Sequence, residues 1–198
     1  AVNVGLEQAG DRDVVLLNSD TYVTEGWLAG LLRVAEAAPD HGTVTPFSND
    51  ATILSYPGLT GNAVPDHRLA DEFSVFMSEA NGNSSIEIPT AHGFCMLVRN
   101  DCLREVGYLR EDVFAQGYGE ENDFCMRARM QGWRHVAATG VFVAHLGSGS
   151  FGRGMAATAL LERNIGILNR LHPGYDQLIR AFCDRDPLFG ARRRIDLL

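Results

Sequence analysis

Val14-Val15-Leu16-Leu17-Asn18-Ser19-Asp20-Thr21 is the stretch on which the fold turns. An apolar run that passes without a break into turn-forming polar residues reads as a buried strand ending in a loop. Working outward, Trp27, Leu28, Leu31, Leu32 and Ala35 recur at helical spacing, with Thr24 as the expected cap and Pro39 beyond the end. Thr43 to Thr45 reads as a second short strand, residues 46–61 as loop, Asp66 to Ser78 as a weak helix and residues 81–85 as a polar turn. Phe94 to Val98 predicts a strand and Asn100 to Val106 a short helix. Val141 to His145 predicts a strand that runs into Leu146-Gly147-Ser148-Gly149-Ser150, and Met155 to Leu171 a long helix before Pro173. Strands alternating with helices imply an α/β sandwich with a mainly parallel sheet, in which ligands gather beyond the carboxyl ends of the strands.

At 198 residues the chain suffices for one domain, or one domain with an appendage. Its formal net charge of −8 argues against nucleic acid as a partner. No apolar run approaches the roughly 20 residues that a membrane helix needs, so no integral membrane segment is expected. Ala1 to Gly5 shows neither the positive nor the apolar region of a leader. All 17 basic residues are arginine, which excludes a Schiff-base lysine, a P-loop lysine and a lysine general base within these residues. The terminal cluster of Arg180, Arg185, Arg192, Arg193 and Arg194 reads as a solvated tail. Cys95, Cys102, Cys125 and Cys183 show no C-x-x-C spacing and are expected as buried, reduced thiols, which suits a cytoplasmic setting.

Three clusters carry chemistry. In Gly117-Tyr118-Gly119-Glu120-Glu121-Asn122-Asp123 the acids crowd into the start of a helix that runs to Met130 and stops at Gly132. Such acids offset the helix dipole, yet they also repel one another and raise one another's pKa, as an acid/base centre requires. Asp20, just past a buried strand, is placed to bind a hard cation; its bland reading is a turn residue beside Asn18 and Ser19. His145, at a strand end, suits Mn²⁺ better than Mg²⁺, against the plain reading of a hydrogen-bonded structural histidine. The glycine- and serine-rich loop after it offers backbone N–H groups to a diphosphate, although it fits no P-loop pattern. No G-x-S-x-G elbow is present, and no G-x-G-x-x-G stands in a dinucleotide-binding context.

Several segments together resemble glycosyltransferase family 2. They are, in order, Val14 to Thr21, Pro46-Phe47-Ser48-Asn49, Gly93-Phe94-Cys95-Met96-Leu97-Val98-Arg99 with Val106-Gly107, Gly117 to Phe124 through Arg127-Ala128 to Gly132-Trp133, and His145. The resemblance covers about residues 3–152. It implies a GT-A fold, a nucleotide-diphospho-sugar donor, a glycan or other hydroxyl acceptor, a divalent cation (Mn²⁺ or Mg²⁺) and inversion at the anomeric carbon. Asp20 resembles the last acid of the family's D-x-D element and is implied as a metal ligand with His145. Asn18 stands in place of the first acid, so Asn18, Ser19 and Asp20 together are implied to face the donor diphosphate. Glu121 resembles the second residue of the E-D element and is implied as the general base, with Glu120 and Asp123 as substitutes. His92, Gly93 and Phe94 resemble the segment nearest the acceptor.

The family ordinarily begins with an apolar strand that helps grip the nucleotide base, and this sequence starts at an Asn3-x-Gly5 that normally follows it. The expectation is therefore an N-terminally truncated domain, with residues 1–152 as a partial catalytic core and 153–198 as a helical extension. The implied activity is that of a hexosyltransferase-type enzyme in surface glycan or polysaccharide assembly, in the cytoplasm or at the inner face of the membrane. The alternative is an incomplete transferase-like module that binds carbohydrate or a protein partner. Metal-dependent phosphoester hydrolysis by Asp20 and the acidic knot is a third, weaker option.

Overall fold

The computed structural model describes residues 2–60, 62–114, 119–146 and 155–198. Its strands are β1 (Val14–Leu17), β2 (Thr21–Val23), β3 (His41–Phe47), β4 (Ser85–Ile88), β5 (Cys95–Val98) and β6 (Arg134–His145). Its helices are α1 (Val2–Ala9), α2 (Trp27–Glu36), α3 (His67–Asn81), α4 (Asn100–Val106), α5 (Glu120–Met130), α6 (Met155–Leu171), α7 (Tyr175–Arg185) and α8 (Phe189–Ile195).

The strands form one sheet in the order β1-β5-β3-β6-β2, with β4 also on β6. The expected α/β class holds, but the sheet is mixed rather than mainly parallel. Among the described residues only β3 and β6 pair in parallel, while β1–β5, β3–β5, β2–β6 and β4–β6 are antiparallel. Alternation of strand and helix implies a parallel pair only if each crossover returns the chain in the same sense. Between β3 and β5 the chain passes through α3 and the short β4 and comes back reversed.

β6 organises the sheet. Its interior is buried on both faces, which is why it reads as an apolar run without alternation. β3 lies along one edge, while β4 and β2 share the other, β4 on its first half and β2 on its second. A Cβ on Gly140 would stand 1.9 Å from the carbonyl oxygen of Gly82, so glycine here lets the end of α3 press onto the sheet. Pro46 has no N–H to give the ladder, and the β3–β6 register shifts immediately after it.

Helices cover both faces. Cys95 and Leu97 of β5 belong to a core with Leu31 and Val34 of α2, Met77 of α3, and Ala191 and Ile195 of α8. Met96 and Val98, pointing the other way, join Leu6 of α1, Cys102 and Leu103 of α4, and Phe124 and Ala128 of α5. Burying a phenylalanine such as Phe94 or Phe142 is worth about 3–5 kcal/mol against alanine.

Local differences from the sequence reading have plain causes. Thr24 does not cap α2. Its hydroxyl lies 2.9 Å from the carbonyl oxygen of Phe142, and Gly26 in a left-handed conformation starts the helix instead. The arginines of α8 are not a solvated tail: Arg192 is buried, pairs with Asp186 and donates to the Ile53 carbonyl, while Arg194 donates to Asn81 Oδ1 at 2.8 Å. Cys95, Cys102 and Cys125 are buried as expected and Cys183 is exposed. Burial pushes the Cys95 and Cys102 thiols up to about 12, so both remain protonated.

Candidate active site

The turn after β1 and the end of β6 meet because Thr21 pairs with His145 across the β2–β6 ladder. His145 is held at both backbone groups by one side chain. Asn49, just past β3, accepts from the His145 N–H and donates to its carbonyl, each at 2.8 Å. The ring is oriented as well: Nδ1 lies 2.9 Å from the Asp50 carbonyl oxygen. A carbonyl can only accept, so Nδ1 carries a hydrogen and Nε2 is the ring nitrogen turned toward the β1 turn. Asp20 Oδ1 and Asn18 Nδ2 each lie 3.5 Å from that nitrogen. Asp20 Oδ1 is buried and has no hydrogen-bond partner.

An acid oxygen and an imidazole lone pair turned toward one another are mutually unfavourable unless a proton or another cation lies between them. Their chemistry fits Mn²⁺ well and Mg²⁺ acceptably. No group of three or more His, Cys, Asp or Glu among the described residues is placed to hold a metal. Ser19 is exposed in the turn between its neighbours. The loop over 147–150, expected to supply N–H groups, lies outside the described residues, as do Gly117 and Tyr118.

The acidic knot opens α5. Gly119, at φ +130°, precedes the first turn and provides no side-chain cap, so the acids of that turn face its free N–H groups. Burial raises the Glu121 carboxyl above the usual range, although its own N–H and that of Gly119 bond to it and work in the opposite direction. Glu120 is pushed up to about 7, first by burial and then by the Glu121 charge, and its Oε2 is buried without a partner.

Asp123 behaves differently. It is fully buried, and Arg110, Arg127 and His172 all converge on it, with Arg127 Nε at 2.9 Å and His172 Nε2 at 2.8 Å. Burial alone would raise its carboxyl, but the bonds from Arg110, His172 and Arg127 outweigh that and hold it below the ordinary carboxylate range. Arg127 also donates to the carbonyls of Val106 and Tyr108, tying the helix start to the segment after α4.

The segment 90–94 joins the metal side to the acid side. A Cβ on Gly93 would stand 2.0 Å from Glu121 Oε1, so the carboxylate lies directly against this glycine. The Phe94 ring stacks on His145 at 5.4 Å, and His92 meets Phe94 edge-on at 5.5 Å. The Phe94 carbonyl accepts from the Asn18 N–H at 2.8 Å, fixing the segment to the turn that carries Asp20. His92 reaches solvent in part, yet its Nδ1 is buried without a partner, and burial and the nearby His145 push the ring down to about 4. It is therefore a neutral imidazole at physiological pH. Asp20 Oδ1, His92 Nδ1 and Glu120 Oε2 are the buried side-chain atoms without a partner among the described residues; the first two belong to neighbours of His145 and the third to the neighbour of Glu121.

Asn18, Asp20, His92, Gly93, Phe94, Glu120, Glu121 and His145 are thus gathered along the ends of β1 and β6, the start of β5 and the start of α5. Sequence reading did not single out Asn49, Asp50 or His172. Asn49 lay within a quoted segment without a role. The others carry no local pattern, since their meaning depends on long-range contact.

Comparison with known proteins adds a second line of observation. The family model described as "Glycosyltransferase like family 2" matches residues 1–162. The low-salt glycan biosynthesis hexosyltransferase Agl10 of Haloferax volcanii is 23% identical over 133 residues, 66% of this chain and 41% of that protein. The uncharacterized proteins Rv1525 of Mycobacterium tuberculosis and Mb1552 of Mycobacterium bovis are each 24% identical over 139 residues, 70% of this chain and 48% of theirs. The chain spans less than half the length of these curated relatives.

Proposed function

The chain belongs to glycosyltransferase family 2, and from that premise we propose that its cleft moves a sugar from a nucleotide-diphospho-sugar to an acceptor hydroxyl, with inversion, on a GT-A type of domain. The convergence of unpartnered atoms of Asp20, His92 and Glu120 carries this reading, because a buried polar atom left bare in a cleft is unfavourable until a substrate or cation meets it. We assign residues 1–152 as the catalytic core and 153–198 as a helical extension.

In this mechanism the acceptor lies against His92, Gly93 and Phe94, with the neutral ring of His92 giving or taking a hydrogen bond from a hydroxyl. Glu121 takes the proton of the attacking hydroxyl as that oxygen bonds to the anomeric carbon. The bond from that carbon to the diphosphate oxygen breaks in the same step, and its electron pair leaves with the diphosphate. A carboxyl raised by burial is a stronger base than one in water, and such proton transfer contributes about 10²–10⁴-fold. Asp20 and His145 would hold the divalent cation, with Asn18 and Ser19 beside the diphosphate; when bound, that cation offsets the charge of the leaving group. Asp123 holds the helix start with its two arginines and His172, while Glu120 shares the acid pocket.

The test is transfer from a panel of nucleotide-sugars with Mn²⁺. Glu121→Gln should abolish turnover while donor binding, measured by calorimetry, survives. Unchanged turnover in that variant would remove Glu121 as the base, and loss in Glu120→Gln instead would move the role to Glu120. A second reading has its own support. Because the chain spans less than half of its curated relatives, these residues are alternatively a module that binds carbohydrate or a protein partner. Absence of Mn²⁺-dependent binding of uridine, guanosine and thymidine diphosphates would favour it. We place the protein's work in glycan assembly, on the cytoplasmic side of a membrane; no described helix is long and apolar enough to cross one.

A further inference from the structure

Leu168, His172 and Tyr175 reach the proposed site from beyond the span that matches the family. His172, between α6 and α7, is almost fully buried and sets Nε2 2.8 Å from Asp123 Oδ1, in the first turn of α5. Its own N–H bonds to the Leu168 carbonyl at 2.7 Å, which fixes the ring to the end of α6. Leu168 in turn seats the start of α5: a Cβ on Gly119 would meet Phe114 at 3.0 Å and Leu168 Cδ1 at 3.4 Å. Tyr175, at the start of α7, packs with Phe114 and Leu168, the two side chains that border Gly119.

One pair of helices thus grips the start of α5, which sets Glu121 against Gly93. The base stands on α5 and the glycine on the 90–94 segment, and nothing covalent sets their separation. We infer that His172 and Tyr175 are positioning residues of the transfer reaction: His172 fixes the base through Asp123, and Tyr175 fixes it through the packing of Phe114 and Leu168 at Gly119. This inference rests on the transferase reading and assigns to the C-terminal helices a part in the chemistry. A misplacement of about 1 Å costs on the order of 10²-fold in rate.

Two measurements on the full chain test it. In steady-state assays with the donor and acceptor found active, His172→Ala should lower kcat about 10²-fold while donor KM stays put. His172→Gln, whose amide still donates toward Asp123, should recover most of that loss. Tyr175→Ala should lower kcat in the same direction and leave donor KM unchanged. In amide hydrogen exchange, both alanine variants should lose protection over 119–125 but keep it in β3 and α2. Wild-type kcat and exchange in His172→Ala and Tyr175→Ala would overturn the inference. So would protection lost evenly across the sheet, which would make both residues merely structural. If the wild-type chain transfers no sugar, the transferase reading fails by itself, and the localised exchange pattern still decides the anchoring.

Discussion

At Gly93 the atom that an added Cβ would meet, 2.0 Å away, is a carboxylate oxygen at the tip of Glu121 rather than backbone. A side-chain tip can swing aside at modest cost, so the two effects of Gly93→Ala should separate. Thermal stability should change little, while transfer should fall by orders of magnitude because the base is displaced; comparable activity in a folded variant would detach Gly93 from the site. Glu120 allows a signed pH prediction. Its carboxyl rises from the ordinary 4.5 to about 7 on folding, chiefly through burial. Between those values the folded chain holds a proton that the unfolded chain has released, so the group lowers stability as pH rises through that window. Glu120→Gln removes the effect. Its melting temperature should match wild type near pH 4 and exceed it at pH 8, with thermal melts across that range as the check. A variant that gains stability and loses turnover would be the usual trade at a functional site.

Among the elements, β6 is the most constrained. Gly140 sits mid-strand, and the neighbour a Cβ would meet is the backbone of Gly82, with its oxygen at 1.9 Å and its carbon at 2.9 Å. Backbone cannot yield as a side chain does, so Gly140→Ala should cost roughly 2–4 kcal/mol, read by chemical denaturation with an unchanged m-value. The same strand marks where sequence reading succeeded and where it failed. His145 and Asp20 were legible because each ends an apolar run in a polar residue, and Asn100 to Val106 matched its helix to the residue. The first half of β6 was missed because His135-Val136-Ala137-Ala138-Thr139 has small residues and no alternation. β4 was missed, with only its first residue Ser85 falling in the expected turn, because Asn81-Gly82-Asn83-Ser84-Ser85 masks its start. Strand direction was illegible for a deeper reason: a strand's side-chain pattern is the same whichever way it runs, and the reversal of β5 is set by how the chain returns to the sheet. The arginines of α8 looked solvated because partners such as Asp186, Ile53 and Asn81 are unknowable before the chain folds back.

For the whole molecule, the cation site proposed at Asp20 and His145 ties ligand binding to global stability. A ligand that binds only the folded chain stabilises it by RT ln(1 + [L]/Kd), about 2.7 kcal/mol at a hundredfold excess over Kd. Mn²⁺ together with the donor's nucleoside diphosphate should therefore raise the melting temperature by several degrees. Each component alone should do less, and Asp20→Ala should cancel the joint effect; an equal rise in that variant would take the cation elsewhere. The arrangement of the 90–94 segment has one more consequence. It touches Glu121 at Gly93, the His145 ring at Phe94 and the turn before Asp20 through the Phe94 carbonyl, so five residues act as the ruler between Glu121 and the Asp20–His145 pair, the base and cation ligands of the proposed reaction. A ruler cannot be lengthened to admit a bulkier acceptor without also spoiling the attack distance. Descendants of this protein that acquire new acceptors should therefore vary in the surrounding walls and keep the length of this segment fixed, so that specificity drifts while the spacing of the chemistry does not.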